Sequence, residues 1–306
     1  MTTGDFAYWR GGFVPLADAK ISITTHALNY GTGVFEGMVA VWDATAGQFL
    51  MFRVLDHYRR LHLSGRLLGI SLEHGPEELT ELTGQLLAMN PHRTDVYMRA
   101  VAYKSHEGVG VRLHDLADNF YAFSVPLNMT FQSDAITCCI ASWRRYDDNV
   151  VPTRAKVTGM YVNNSLARTE AVKNGFSEAL MLNQDGYVCE ACGENIFIVE
   201  GDRLVTPGLE EGILPGITRE AIIQLARGEL GTETVERRVS RGQLYAADEC
   251  FLTGSLSGVK PVKSVDHRPI GVGGTGPVTH RLRELYLKAM YGHLPTYRHW
   301  LTSVSV

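Results

Sequence analysis

Residues 178–206 read EALMLNQDGYVCEACGENIFIVEGDRLVT. Two strand-like runs, 178–182 and 187–189, flank Gln184-Asp185-Gly186, a hairpin signal because Asp and Gly tolerate the positive φ of a tight β-turn. Two more, 195–199 and 203–206, flank Gly201-Asp202. Working outward, a strand at 135–143 and a helix at 163–174, ended by Gly175, come before it. A helix at 217–230, a strand at 249–253 and a helix at 277–291 follow. The first half holds a strand at 49–53, a helix at 56–69, and a helix entered at Pro76 with Leu79, Leu82, Leu86 and Met89 at 3-4-3 spacing. Strands at 95–103 and 119–127 close it. The order is neither a regular βαβ repeat nor all-β, so the chain is expected to be α+β in two domains. Pro126 and the polar residues after it place an interdomain linker at 126–134, between a domain at 1–125 and one at 135–306. Residues 292–306 carry no assignment.

The 306 residues suffice for two domains, and 45% hydrophobic with 20% charged residues is a globular composition rather than a disordered one. The net charge of −4 disfavours nonspecific nucleic-acid binding, which needs a basic face. No apolar run reaches the roughly 20 residues of a membrane span, and the opening MTTGDFAYWRGGFVPL has no signal-peptide pattern. Five sparse cysteines point to a reducing cytoplasm.

Three patterns invite other chemistry. Gly271 to Gly276 spells G-x-G-x-x-G, but no buried strand leads into it and the chain ends after one helix, so a dinucleotide site is not expected. Cys189 and Cys192 form a C-x-x-C without a second ligand pair, which reads as two buried thiols rather than zinc. Neither H-E-x-x-H nor G-x-S-x-G occurs, and no metal site is expected.

The informative constellation lies in several segments: THALNYGTGVFEG (25–37), FR at 52–53 followed by HYRRL (57–61), AKVTGMYVN (155–163), DGYVCEACGENIF (185–197), LPGITR (214–219), TGSLS (253–257) and GPVT (276–279). Their order and spacing, above all Lys156 and Glu190, resemble the class IV, fold type IV aminotransferases that use pyridoxal 5′-phosphate. Within these they look most like the branched-chain amino acid aminotransferases. The resemblance covers about residues 10–290. It implies a D-amino acid aminotransferase-like fold, with a small N-terminal α/β domain, a larger C-terminal domain with a β-barrel-like core, and a homodimer.

Each residue type suits its implied role. A pyridoxal phosphate enzyme needs a lysine amine that can react with the cofactor aldehyde, and the resemblance assigns this to Lys156. Its electron sink works best with a protonated ring nitrogen, held by a carboxylate. That role falls to Glu190, with Glu194 as competitor. Tyr161 matches the tyrosine that bonds the cofactor's phenolic oxygen. Arg60 matches the arginine whose planar fork suits phosphate, while Arg59 beside it reads as solvated. Gly216, Ile217 and Thr218 open a helix whose first N–H groups form an anion site, and Gly254-Ser255 is a second such turn. The resemblance places Tyr30, Phe35, Tyr97, Arg99, Leu256 and Ser257 at the substrate.

The pattern departs at three places. Val39 stands where branched-chain enzymes commonly carry arginine, Ser255-Leu256-Ser257 replaces the usual Thr-Ala-Ala, and the loop 106–115 carries Arg112. The implied activity is transfer of the amino group of L-leucine, L-isoleucine or L-valine to 2-oxoglutarate. A D-amino acid or (R)-amine transaminase is the alternative that the departures keep open, followed by an aminodeoxychorismate lyase-type enzyme and then a nicotinamide oxidoreductase.

Overall fold

Strand and helix formation divide the chain into two compact units, seen in a computed structural model that describes residues 4–127 and 134–306. Most of the expected linker, 128–133, lies outside the described residues. Unit 1 comprises Met1–Met129, Ala155–Met160 and Ala289–Val306; unit 2 comprises Thr130–Arg154 and Tyr161–Lys288. The units are equal in length because the unassigned C-terminal stretch belongs to the first.

Unit 1 is built on a seven-stranded sheet. Its strands are β1 (Phe6–Trp9), β2 (Gly12–Pro15), β3 (Gly33–Asp43), β4 (Gln48–Phe52), β5 (Val96–Lys104), β6 (Asp118–Pro126) and the last strand of the chain, β16 (Leu301–Ser305), in the order β16-β4-β3-β5-β6-β1-β2. The long β3 was not evident in the sequence. Eight of its eleven residues are buried, so it lacks the polar–apolar alternation of a half-exposed strand. Helices α1 (His26–Tyr30), α2 (Val54–Leu67) and α3 (Pro76–Met89) complete the unit; α3 buries Leu79, Leu86 and Leu87.

Unit 2 holds β7 (Ile136–Ile140), β8 (Glu178–Leu182), β9 (Val188–Ala191), β10 (Asn195–Glu200), β11 (Arg203–Thr206), β12 (Thr234–Glu236), β13 (Glu249–Gly254), β14 (Gly258–Val265) and β15 (Arg268–Pro269). The pairing β10-β13-β14-β7-β8-β9 closes on itself through β9–β10, giving the barrel. Its interior is an apolar cluster that includes Leu180, Ile196, Leu252 and Val262. The helices that follow β7 in the chain are α4 (Tyr161–Lys173), α5 (Ile217–Leu230), α6 (Arg241–Ala246) and α7 (Pro277–Met290). Ala167 and Ala171 of α4 pack with Ala179 and Met181 of β8, small residues that let helix and strand approach closely. No helix of the described residues is long and apolar enough to cross a membrane. The expected mixed α and β architecture with a barrel core is therefore the one observed.

Candidate active site

In unit 1 the segment around Lys156 is held by backbone bonds to the start of β3. Phe35 N–H donates to Lys156 O (3.0 Å), Thr158 N–H donates to Gly33 O (2.8 Å), and Lys156 N–H donates to Ser64 Oγ (3.1 Å). The approach needs glycine. A Cβ at Gly31, whose φ is +67°, would lie 2.6 Å from Gly159 Cα. Lys156 Nζ sits 5.0 Å from the centre of the Phe35 ring, and the Arg99 guanidinium 4.3 Å from it. Arg99 lies on β5 opposite Gly37 of β3; a Cβ at Gly37 would come 2.3 Å from Tyr97 Oη, so this glycine makes room for the tyrosine. Arg99 Nε is buried with no hydrogen-bond partner among the described residues. Phe35, Tyr97, Arg99 and Lys156 are thus brought together. Val39 faces Tyr97 across the ladder and is buried. Tyr30 ends α1, and its hydroxyl accepts from Gly110 N–H at 3.0 Å. Arg112 is exposed.

Arg60 is buried on α2 and forks onto Glu36: Nε donates to Oε1 and Nη2 to Oε2, both at 2.7 Å. His57 Nδ1 meets Oε2 at 2.7 Å. Burial by itself would raise the Glu36 carboxyl, but the charge and hydrogen bonds of Arg60, with His57, hold it at about 2. Burial depresses His57, and the positive charges of Arg60 and Lys156 add to that. Arg59 is 58% exposed, as expected of a solvated neighbour. Glu36 was missed as a functional residue, although it lies inside the FEG of the first motif.

In unit 2 Glu190 sits on β9 and is buried. Arg145 Nη2 donates to its Oε1 (2.8 Å), while Asn195 Nδ2 (2.9 Å) and Leu214 N–H (3.0 Å) donate to Oε2. All three partners donate, so both oxygens accept, which is the part a carboxylate plays. Burial works against the charge on Arg145, yet Glu190 beside it keeps the guanidinium's pKa above its ordinary value. Arg145 was also missed, because one arginine of the Arg144-Arg145 pair looks like the other. Glu194, the competitor, is instead paired with Lys260 at 2.8 Å.

Gly216 caps α5, and a Cβ there would come 2.0 Å from Asn195 Oδ1. Thr218 is buried in the first turn. The α5 N-terminus has no side-chain cap. The α7 N-terminus, which follows the G-x-G-x-x-G, differs: Glu249 accepts from Val278 N–H (3.0 Å) and Thr279 N–H (2.7 Å). The Glu249 carboxylate of β13 thus occupies the anion position at this helix start. Gly254, Ser255, Leu256 and Ser257 join β13 to β14. A cavity of about 420 Å³ gathers Tyr161, Asn164, Arg168, Gly254, Leu256 and Ser257; Gly216, Ile217, Thr218 and Ser255 are not among its lining residues. Thr253 Oγ1 and Ser257 Oγ are buried without a hydrogen-bond partner among the described residues. Such orphaned hydroxyls suit a polar ligand. All five cysteines are free and buried, and no metal-holding cluster occurs among the described residues.

The family model for amino-transferase class IV matches residues 33–265. A probable branched-chain-amino-acid aminotransferase of Aquifex aeolicus (strain VF5) is 43% identical over 98% of this chain and 97% of its own length. The crystal structure of a branched-chain amino acid aminotransferase from Thermobaculum terrenum in its PLP-form superimposes with a TM-score of 0.95 at 35% identity, covering 99% of each chain. The T.th. branched-chain amino acid aminotransferase complexed with N-(5′-phosphopyridoxyl)-L-glutamate gives 0.93 at 38% identity, covering 98% of each. With full-length relatives above a third identical and the family motifs in place, the chain belongs to the class IV aminotransferases and, within them, to the branched-chain-amino-acid aminotransferases.

Proposed function

We propose that this aminotransferase uses Lys156 as its catalytic amine and Glu190 as the carboxylate that faces the ring nitrogen of pyridoxal 5′-phosphate. The enzyme moves the amino group of L-leucine, L-isoleucine or L-valine to 2-oxoglutarate in a ping-pong cycle. When bound, the cofactor supplies the aldehyde that receives the amino group and the ring that withdraws electrons from the substrate Cα. Lys156 Nζ would take the proton from that Cα and pass it to the C4′ carbon of the cofactor, and would carry it from C4′ to the Cα of the acceptor in the second half-reaction. Glu190 holds the proton on the ring nitrogen, and Tyr161 hydrogen-bonds the phenolic oxygen. Arg60, Gly216, Ile217, Thr218, Gly254 and Ser255 receive the phosphate. Tyr30, Phe35, Tyr97, Leu256 and Ser257 wall the substrate, and Arg99, with its unpartnered Nε, attracts a substrate carboxylate. The complex of the T.th. relative supports glutamate and 2-oxoglutarate as one couple.

The observation that carries this reading is Glu190, a buried carboxylate addressed by three donors. We read the protein as cytoplasmic, which its five free cysteines support, and as a homodimer or a higher assembly of dimers, which the exposed apolar side chains of Ile23, Leu28, Val109 and Val111 on unit 1 support. Lys156→Ala tests the central assignment. L-leucine turnover is expected to vanish while the circular dichroism spectrum is retained; turnover at the wild-type rate would remove Lys156 from the chemistry. Val39 motivates a screen of L-leucine against D-alanine and (R)-1-phenylethylamine. A preference for either of the latter would overturn the branched-chain assignment.

A further inference from the structure

Arg168, a charged side chain that lines the cavity beside Tyr161, is tied to a buried carboxylate that the chemistry above does not use. Glu178, the first residue of β8, is 1% exposed, and its Oε2 accepts from Arg168 Nη1 of α4. Tyr161, Asn164 and Arg168 stand at i, i+3 and i+7, on one face of α4, and all three line the cavity. Asn164 accepts from Arg145 Nη1 (3.2 Å) and donates to Cys192 O, so the same helix face reaches the arginine that holds Glu190. Around Glu178 stand Arg168 from α4, the thiols Cys138 and Cys139 from β7, and Cys192 and Glu194 from the turn after β9; Lys260 of β14 is paired with Glu194.

We propose that Glu178 is a positioning residue: through Arg168 it ties α4 to β8 and so fixes Tyr161 and Asn164, and protonation of its carboxyl loosens that tie. The proposal rests on the reading of Tyr161 as a cofactor contact. Burial, with the negative charge of Glu194, pushes the Glu178 carboxyl up to about 7 against the pull of Arg168. A carboxyl raised in the folded state favours folding most below its unfolded range near 4.5, and that benefit is lost as pH rises through about 7. The ionised, tied form therefore costs stability, as expected of a group kept for placement rather than for folding.

Wild type, Glu178→Gln and Arg168→Met are compared from about pH 5 to about pH 8. The readouts are the thermal midpoint of the cofactor-free protein and, with cofactor, kcat and KM for L-leucine and 2-oxoglutarate. Wild-type kcat is expected to fall as pH drops through about 7. Both variants should be about tenfold slower above that pH and flat across the range, a loss short of the 10²-fold that a 1 Å misplacement costs. Their KM values should stay within about twofold of wild type. The midpoint of Glu178→Gln should gain on wild type as pH rises, and that of Arg168→Met should fall below wild type above about pH 7. A Glu178→Gln enzyme with wild-type kcat, or one that keeps the acid limb, overturns the proposal. A wild type without transaminase activity overturns the functional reading instead. The tie is then judged on the thermal curves, where an Arg168→Met midpoint equal to wild type above about pH 7 removes it.

Discussion

Each unit contains a buried glutamate paired with a buried arginine, and the two pairs work in opposite directions. In unit 1 Arg60 and His57 both bond Glu36, and the carboxylate fixes the arginine that is read as the phosphate ligand. In unit 2 Arg145, Asn195 and Leu214 N–H surround Glu190, so the arginine fixes the carboxylate that is read as the ring-nitrogen ligand. Functional charge is buried in both, and in both an opposite charge holds it at fixed geometry. The difference lies in the remaining donors. Glu190 has two neutral N–H donors besides its arginine, whereas Glu36 has a histidine whose charge is disfavoured by burial.

The comparison can be broken from either side. Removing one partner of a buried pair leaves an uncompensated charge, at a cost of about 3–5 kcal/mol. Glu36→Gln should show that full loss in urea unfolding, because it removes the carboxylate onto which Arg60 forks. Arg145→Met should cost less than Glu36→Gln, because Asn195 and Leu214 still donate to Glu190. Equal losses would mean that the neutral donors contribute nothing.

Glu190→Gln separates function from stability in the second pair. The amide cannot hold the ring proton, so kcat for L-leucine should fall on the order of 100-fold, as for loss of an acid–base partner, while cofactor absorbance is retained. A normal kcat would return the role to Glu194, despite its pairing with Lys260.

Arg99 sharpens the contrast, because its buried Nε has no acceptor among the described residues, whereas both arginines of the pairs meet a carboxylate. A charge-assisted bond from it to a substrate carboxylate is worth about 1.5–3 kcal/mol, or on the order of 10–100-fold in kcat/KM. Arg99→Ala should reduce kcat/KM for L-leucine by that factor and affect (R)-1-phenylethylamine much less. An equal loss for both would mean that Arg99 only supports β5.

The last test of the comparison is in pH dependence. The folded-state carboxyl of Glu36 is held at about 2, below its ordinary 4.5. Its stabilisation is therefore present above 4.5 and lost as pH falls towards 2. Wild type should lose stability across this acid window by an increment that Glu36→Gln lacks. Parallel curves would show that Glu36 does not stay ionised in the fold.

Much of this was legible in the chain. Local signals located most elements: Pro76 at the start of α3, Gly175 after α4, and the Asp185-Gly186 turn between β8 and β9. The motif order also marked Lys156, Tyr161, Glu190 and the two Gly-rich turns. Residue order was enough for these elements, because turns, caps and helix periodicity act between near neighbours. What each charge meets depends on the folded chain. Glu36 pairs with Arg60, Glu190 with Arg145 and Glu194 with Lys260 across loops of 23 residues or more, and no local pattern distinguishes Arg145 from Arg144. β3 was hidden because both its faces are buried, and β16 because its strand partner, β4, lies at the other end of the chain. Burial and long-range charge pairing depend on chain closure, so residue order alone leaves them open until the fold is formed.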